Sequence, residues 1–316
     1  MNIKLYRASS LKYTPFDDFV EGDLDYLKEK GIMMTSSLKE ADVIVSQNTK
    51  HFKKYFFKAL FGKKLLIWTT EPRFCKVFTS KTKLLGLVDC NIMNLYTQDI
   101  FINSISIHCY LINKSLKPLD NDFKFNSKKT IALMSYYKGI NAAPFIRNGE
   151  NIDLIALRSK IALEGAKLGS IDVFGKGWPS GISKEDSRDG AWGVRKPELL
   201  KNYNFNFCFE NTATHNYMTE KIWDSISNYC LPIYYGKHTN AYSLFPENSF
   251  IDYSKFNSPK ELFDYIDNMS SEEFVCRMNK CIDVYNHISS QNPELAKKER
   301  KKVLDKIVEK VKLMCH

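Results

Sequence analysis

The sequence predicts an α/β protein of two domains in tandem, each a parallel sheet covered by helices. The first observation is its length of 316 residues, since a domain contains about 150 residues. The second is the alternation of short apolar runs with segments of helical spacing, which is typical of parallel sheets. The third is a composition that is 44% hydrophobic and 13% aromatic, which excludes a disordered chain. We expect the two domains to face each other across a cleft.

The first half of the chain alternates strands with helices. Strands are predicted at 3–6, 42–47, 64–71 and 87–96, and helices are predicted at 17–31 and 51–62. The first helix is expected to end at Gly31, because glycine readily adopts the left-handed conformation that terminates helices. This half is predicted to form a domain at residues 1–122.

The second half repeats the alternation after a polar stretch at 117–129, which is predicted to contain the interdomain linker. Strands are predicted at 130–137, 171–175, 204–209 and 249–253, and helices at 152–168, 196–203 and 258–269. Ser258 as N-cap and Pro259 at the first position support the last of these helices. The second domain is predicted at residues 123–290, followed by a C-terminal helix at 291–316.

Half of the net charge of +10 lies at the C-terminus, where residues 296–316 contain eight Lys or Arg and three Asp or Glu. The segment is predicted to be a basic amphipathic helix. It could pack its apolar face on the protein body, lie on an anionic membrane surface, or bind nucleic acid. Nucleic acid is not an expected partner, because no nucleic-acid motif accompanies the helix. The apolar residues at helical spacing are Val303, Leu304, Ile307, Val308 and Val311.

The apolar runs, the N-terminus and the cysteine spacing indicate in which cellular compartment the protein is expected. Apolar runs such as LLIW at 65–68 are too short to span a bilayer, and the N-terminus lacks the apolar core of a signal peptide. The eight cysteines include no C-x-x-C pair, so that neither structural zinc nor disulfides are expected. We expect a cytoplasmic protein, peripheral at the inner face of the membrane if the basic helix contacts lipid.

The most informative stretch is FCFENTATHNYMTEKIWDSISNYCLPIYYG at residues 207–236, which is read as a strand, a polar loop, a helix and a second strand. Asn211, Tyr217, Glu220 and Lys221 lie in the loop or the first helical turn, at the strand end where open α/β sheets bind ligands. The carboxylate suits paired ribose hydroxyls, and the ammonium suits phosphate. Together the four side chains indicate a nucleoside diphosphate site.

The start of the helix after this loop strengthens the interpretation. The helix is predicted to begin at about Met218, where the positive end of its dipole attracts phosphate. Taken alone, a glutamate followed by a lysine would be interpreted as an ordinary solvent-exposed helix start without a ligand. The functional interpretation therefore depends on the whole pattern around the pair.

That pattern, F-E-N-T-x₄-Y-M-T-E-K followed by an apolar strand with proline and by Gly236, resembles the donor-binding motif of the α-1,3/4-fucosyltransferases, glycosyltransferase family 10, in its bacterial type. The resemblance extends from Phe207 to Gly236 and, more weakly, to about Met269. Its length and fixed spacing make it specific. It implies a GT-B architecture of two Rossmann-like domains, with the acceptor bound by the first and GDP-fucose by the second.

The resemblance also implies the role of each residue at the donor. Asn211, Tyr217, Glu220 and Lys221 match donor-binding positions of the family. Glu220 is implied to bind the ribose, and Lys221 is implied to bind the phosphates. The remaining implied residues lie outside the quoted stretch.

Arg158 matches an arginine of the family that contacts the diphosphate, and Arg147 and Arg195 are alternatives for that position. The general base of the family is a glutamate at the end of a strand in the first domain, and Glu71 matches it. Glu71 also stands out from the residues alone, because it closes an apolar strand where a carboxylate can face a cleft. The alternative for Glu71 is a surface turn. Arg73 is a further candidate, for acceptor binding.

The resemblance implies a reaction that moves L-fucose from GDP-β-L-fucose to a hydroxyl of a glycan acceptor of the N-acetyllactosamine type, with an α-1,3 linkage, by inverting single displacement. A carboxylate accepts the proton of the acceptor hydroxyl, and cations stabilise the negative charge that develops on departing GDP. No cofactor or metal is expected to be required, and a divalent ion is expected at most to stimulate. The D-x-D pairs at 23–25 and 120–122 are expected to be solvated. The alternatives are a transferase for another GDP-sugar, such as GDP-mannose, and a nucleotide- or sugar-binding protein without catalysis.

Overall fold

A computed structural model describes residues 2–72, 80–94, 108–186 and 192–316. The chain divides into two compact units: Met1–Ser106 with Ala296–His316, and Ile107–Leu295. The division lies earlier in the chain than the predicted linker at 117–129, and it joins the C-terminal segment to the first unit. The assignment of acceptor and donor binding to two domains stays a prediction.

The first unit contains a six-stranded sheet with strand order β2-β1-β3-β4-β6-β5. All neighbouring strands are parallel except β5 and β6. β3 is buried throughout and β4 is buried from its second residue, because both faces of a parallel sheet are covered. The elements are β1 (Ile3–Arg7), α1 (Asp23–Glu29), β2 (Ile32–Thr35), β3 (Val43–Ser46), α2 (Phe56–Leu60), β4 (Lys64–Thr69), β5 (Lys81–Leu84) and β6 (Val88–Asn94).

Two predicted helices of this unit are shorter than expected. α1 begins only at Asp23, because the preceding Gly22 has a φ of 90° and cannot continue a right-handed helix. The helix predicted at 51–62 is a 3₁₀ helix at Thr49–Tyr55 followed by α2. The sequence analysis missed β2 and β5, which are four-residue edge strands without a continuous apolar run.

The second unit contains a five-stranded parallel sheet with strand order β10-β7-β11-β12-β13, and β8 and β9 form a separate antiparallel pair. The order reverses between β7 and β11, and ligands of open α/β sheets bind beside the carboxyl ends of such strands. The elements are β7 (Thr130–Leu133), β8 (Ile146–Arg147), β9 (Glu150–Asn151), α3 (Ile155–Leu168), β10 (Ile171–Phe174), α4 (Trp192–Leu200), β11 (Phe205–Phe207), α5 (Glu220–Ser227), β12 (Leu231–Tyr234), α6 (Ala241–Leu244), β13 (Ile251–Asp252), α7 (Pro259–Asn268) and α8 (Ser271–Ser290).

The C-terminal helix, α9 (Glu294–Cys315), is amphipathic as predicted. Its apolar residues Val303, Leu304, Ile307 and Val311 are buried, and its segment from residue 296 onward belongs to the first unit. Burial of this stripe favours the first of the three readings of the tail, in which the apolar face packs on the protein body.

A buried salt bridge joins α9 to α1. Arg300 Nε donates to Asp23 Oδ1 at 2.8 Å, and its Nη2 contacts Asp23 Oδ2. The Asp23 side chain is 2% exposed, so the expectation that it is solvated is wrong. A cation from the other end of the chain neutralises it, which local sequence does not reveal. Asp25, Asp120 and Asp122 are exposed, as expected.

Removal of the Asp23 carboxylate should destabilise the first unit. Asp23→Ala leaves Arg300 as a nearly buried cation without its carboxylate, so we expect the free energy of unfolding to fall by about 3 kcal/mol. Urea denaturation measures the change. Glu40→Ala, which breaks the exposed pair between Glu40 and Lys4, is the matched control and should leave stability unchanged within error. Equal effects of the two variants would contradict this assignment.

Candidate functional site

The loop after β11 is organised by Glu210, a carboxylate with no exposed surface. Glu210 Oε1 accepts hydrogen bonds from the backbone N–H and the hydroxyl of Thr219, each at 2.7 Å. Its Oε2 accepts a hydrogen bond from Lys221 Nζ at 2.8 Å, and Lys221 Nζ also donates to Thr219 Oγ1 at 2.7 Å. These bonds tie the end of β11 to the first turn of α5 and hold the Lys221 ammonium at that edge of the sheet.

The first turn of α5 brings opposite charges together. Glu220 Oε1 lies 3.8 Å from Lys196 Nζ and 4.0 Å from Lys221 Nζ. Lys221 and then Lys196 hold the pKa of Glu220 well below its usual range, although burial opposes them. Burial also opposes the charge of Lys221, but Glu210 and Glu220 outweigh it and raise its pKa. Glu220 and Lys221 are therefore both charged at neutral pH.

Lys196 and Glu210 belong to this cluster, although the sequence analysis selected neither. Lys196 is 8% exposed, and its Nζ contacts Asp224 Oδ2 on α5. Glu210 is part of the quoted motif, and a glutamate directly after an apolar strand was the signal that could have identified it. Lys196 gave no comparable signal, because only tertiary packing brings α4 beside α5.

His108 lies beside the same turn. Burial lowers the pKa of His108 from 6.5 to about 4, and Glu220 and Lys221 are the charges with the largest effect on it, in opposite directions. The imidazole is therefore neutral at pH 7 and can donate or accept a hydrogen bond without adding charge. The sequence analysis did not select His108, which lies about 100 residues before the motif.

The start of α3 is tied to the loop after β11 through the backbone. The Leu154 N–H donates to the Asn211 carbonyl at 3.0 Å, and the Ala213 N–H donates to the Ile152 carbonyl at 2.8 Å. This pairing fixes the first turn of α3 beside the loop. It therefore places the start of that helix beside the site.

Arg158 projects from α3 toward this loop. Burial lowers the pKa of the Arg158 guanidinium, and the charge of Glu210 is the largest influence that opposes it, followed by Tyr217. Within the described ranges, the buried Arg158 Nε has no hydrogen-bond partner. A buried N–H donor of this kind can bind an anionic ligand.

The two alternatives to Arg158 lie in other surroundings. Arg195 on α4 makes two hydrogen bonds to the carboxylate of Glu185, at 2.8 and 3.0 Å, and a third to Glu198. Arg147 belongs to β8 in the separate two-stranded sheet. Of the three arginines, Arg158 is the one on α3, the helix whose start is paired with the loop after β11.

The other predicted donor residues lie where the motif puts them. Asn211 is half-buried, and its Oδ1 accepts a hydrogen bond from the Thr212 hydroxyl at 2.8 Å. Tyr217 is 3% exposed and packs inside the loop. α5 begins at Glu220, two residues later than the predicted start at Met218, because Thr219 has an extended backbone with φ of −93° and ψ of −166°.

Glu71 lies at the carboxyl edge of the first sheet, two residues after the end of β4, and it is exposed. Its backbone N–H donates to Thr69 Oγ1 at 3.1 Å, and its carbonyl accepts a hydrogen bond from Asn94 Nδ2 at 3.0 Å. Asn94 is the last residue of the neighbouring β6, so that two strand ends hold the backbone of Glu71. Arg73 lies outside the described residues.

No group of three or more His, Cys, Asp or Glu side chains in the described ranges could hold a metal ion. None of the helices in the described part of the chain is long and apolar enough to cross a bilayer.

Known proteins similar to this chain are fucosyltransferases. The α-(1,3)-fucosyltransferase FucT of Helicobacter pylori is 42% identical over 71 residues, which are 22% of this chain and 15% of that protein. The human GDP-fucose protein O-fucosyltransferase 3 is 31% identical over 103 residues, which are 33% of this chain and 22% of that protein. The matched segments therefore span less than a third of these relatives.

Similarity of fold extends over nearly the whole chain. A crystal structure of an α1,3-fucosyltransferase matches with a TM-score of 0.53 and 16% identity, and the match covers 98% of this chain and 90% of that one. This likeness confirms the predicted GT-B fold class. Residues 150–280 match the family model described as glycosyltransferase family 10 (fucosyltransferase), C-terminal part. This segment contains Arg158, Lys196 and the whole loop from Glu210 to Lys221. Over residues 150–280, the chain is therefore similar to glycosyltransferase family 10, the fucosyltransferases.

Proposed function

We propose that the chain transfers L-fucose from GDP-β-L-fucose to a hydroxyl of a glycan acceptor, with inversion at the anomeric carbon. The observation that carries the proposal is the buried contact between Glu210 and Lys221 at the carboxyl end of β11. It lies inside the segment that matches family 10, and it holds a cation where open α/β sheets bind nucleotides.

The donor would be held by charges of both signs. Lys221 and Arg158 would bind the diphosphate, and their role grows during the reaction because departing GDP gains negative charge. Glu220 would accept hydrogen bonds from the ribose hydroxyls, for which its depressed pKa keeps it ionised. Asn211 contributes an amide beside the ligand, and buried Tyr217 shapes the wall of the loop.

Glu71 would act as the general base. Its carboxylate takes the proton of the acceptor hydroxyl while the oxygen attacks the anomeric carbon and the bond to GDP breaks. One displacement of this kind needs one carboxylate on the acceptor side. It needs no general acid, because GDP leaves as an anion that the site cations stabilise. The observation in favour of Glu71 is its fixed backbone at the carboxyl edge of the first sheet.

The acceptor is proposed from the relatives' names. These name α-1,3- and α-1,4-fucosyltransferases and a protein O-fucosyltransferase, so family 10 domains serve acceptors of several kinds. We propose an N-acetyllactosamine-type glycan as the acceptor, and an α-1,3 linkage, which is the linkage in the name of the bacterial relative. Lysine and arginine neutralise the diphosphate in this proposal, and a divalent ion would at most stimulate.

The location and the membrane contact of the C-terminal segment remain predictions. We propose a cytoplasmic protein that is peripheral at the inner face of the membrane. Because the apolar stripe of α9 is buried in the first unit, residues 296–316 would contact an anionic surface through side chains outside that stripe.

Release of GDP from GDP-fucose tests the reaction class. We expect release only when both GDP-fucose and N-acetyllactosamine are present, because transfer needs the sugar donor and the acceptor hydroxyl together. GDP-mannose is the control donor, and activity should persist with EDTA. Fucose-dependent release without acceptor would indicate hydrolysis, and equal use of GDP-mannose would favour a different GDP-sugar as the substrate.

Neutralising Glu71 tests the base. Glu71→Gln should lower kcat by about 10²- to 10⁴-fold, because an amide cannot take the acceptor proton. GDP affinity, measured by calorimetry, should stay within about twofold of the wild type, since the donor groups are unchanged. Glu40→Gln, at another exposed carboxylate of the first unit, is the matched control. A Glu71→Gln protein that keeps most of its activity would remove Glu71 from the mechanism.

Removal of Lys221 tests the donor site. Lys221→Ala should weaken GDP binding by about 10- to 100-fold, because a charge-assisted hydrogen bond to phosphate is lost. It should also lower the free energy of unfolding by about 3 kcal/mol, because the Glu210 carboxylate is left buried without its cation. Calorimetry and urea denaturation measure the two effects.

A second substitution separates binding from folding. In the Glu210→Gln, Lys221→Ala double variant no unpaired carboxylate remains, so stability should recover in part while GDP binding stays weak. Lys260→Ala breaks an exposed ion pair to Asp264 and should change neither quantity. If GDP affinity recovered together with stability, Lys221 would have only a structural role.

A further inference from the structure

The exposed apolar side chains of the first unit are concentrated on one surface. Seven large apolar or aromatic side chains of its described residues are exposed, and one of them, Tyr13, lies elsewhere. The other six belong to α2 and the residue after it, to the β5–β6 turn, and to the end of α9. They are Phe57 (70% exposed), Leu60, Phe61 (83%), Leu85, Leu87 and Leu313 (74%).

These side chains adjoin one another. Leu60, Leu87 and Leu313 line one open depression of about 620 Å³. Phe61 lines a second depression of about 410 Å³, and the two share Lys63 and Lys64. Phe57 lies three and four residues before Leu60 and Phe61, on the same face of the α2 segment. Leu85 lies two residues before Leu87 in the turn. We call these six apolar side chains and the lysines around them the apolar–lysine surface.

The charge around the apolar residues is strongly positive. The larger depression is lined by five lysines and by Asp89 as its acidic residue. Asp89 lies 3.3 Å from Lys83, and both side chains are more than half exposed, so water screens the pair. The larger depression therefore carries an excess of about four positive charges. The lysines are Lys63, Lys64, Lys81, Lys83 and Lys310.

This combination favours an anionic lipid surface as the occupant. Phenylalanine and leucine insert at the boundary between headgroups and acyl chains, while nearby lysines attract anionic headgroups. The core of a protein–protein interface is instead depleted in lysine. We propose that the apolar–lysine surface docks the first unit on a bilayer that contains anionic lipid. The contact does not use the apolar stripe of α9, which is buried.

The position of this surface fits a peripheral enzyme. Lys64 is the first residue of β4, and Glu71 follows the other end of that strand. At about 3.3 Å per residue, the six residues of β4 separate the two ends by about 20 Å. Docking by the amino edge of the sheet therefore leaves the carboxyl edge, with Glu71, open to solvent and acceptor.

Vesicle flotation tests the proposal without any measurement of transfer. The full chain should float with vesicles of phosphatidylcholine and phosphatidylglycerol (3:1) and stay behind with phosphatidylcholine alone. Phe57→Ser with Phe61→Ser should lower partitioning at least about tenfold, because the inserted apolar area is lost. Lys81→Gln with Lys83→Gln should lower it about tenfold, and added salt should weaken wild-type binding.

Two matched controls separate this surface from other charges and apolar groups. Tyr13→Ser removes the exposed aromatic side chain outside the surface, and Lys297→Gln with Lys301→Gln removes two exposed charges of α9. Both variants should keep partitioning within about twofold of the wild type. The substituted side chains lie outside the apolar–lysine surface, and a charge attracts lipid headgroups only when it lies close to the bilayer. A loss confined to the α9 variant would place the contact on the basic helix and overturn the proposal.

Three other outcomes would also overturn it: no flotation of the wild type, equal flotation with neutral vesicles, or wild-type partitioning of the Phe57→Ser, Phe61→Ser variant. Light scattering tests whether a second copy of the chain, and not a bilayer, binds this surface. If the wild type were a dimer and this variant a monomer, the surface would contact a second copy of the chain. Unchanged melting temperature and GDP affinity of each variant would show that the fold is intact.

Discussion

The contact between the Glu210 carboxylate and the Lys221 ammonium is the interaction on which the candidate site depends. Glu210 is fully buried and accepts three hydrogen bonds, two from Thr219 and one from Lys221. These bonds fix Thr219 as the residue before α5 and hold the Lys221 ammonium beside the end of β11. Buried pairs of this kind add little net stability, but loss of one partner is costly. Their main effect here is to fix the position of a cation.

The charges of the site are balanced before any ligand binds. Lys221 is neutralised by Glu210, and Lys196 is neutralised by Asp224, so neither lysine is a bare buried cation. Arg158 brings a third cation from α3, whose buried Nε is suited to an anion. A diphosphate would add negative charge to a cluster whose cations are already positioned. In the proposed reaction, such preorganisation would avoid reorganisation of the site when charge develops on GDP.

Patterns within short stretches of the sequence predicted most of the strands and helices and the loop after β11. The alternation of apolar runs predicted the two parallel sheets, and the motif predicted the positions of Asn211 and Lys221, since strand, loop and helix are continuous in the chain. Contacts between distant segments could not be predicted in this way. Lys196 reaches α5 only through packing, and Asp23 appeared solvated because its partner, Arg300, lies 277 residues away. The exposed face of α2 also escaped notice, because exposure of Phe61 depends on what packs beside it.

The most direct test of this account is a crystal structure of the full chain with GDP. We expect a phosphate oxygen within about 3 Å of Lys221 Nζ, the ribose hydroxyls on Glu220, and the Glu210–Lys221 contact intact. GDP bound away from the carboxyl end of β11, or bound there without contact to Lys221, would contradict the central claim.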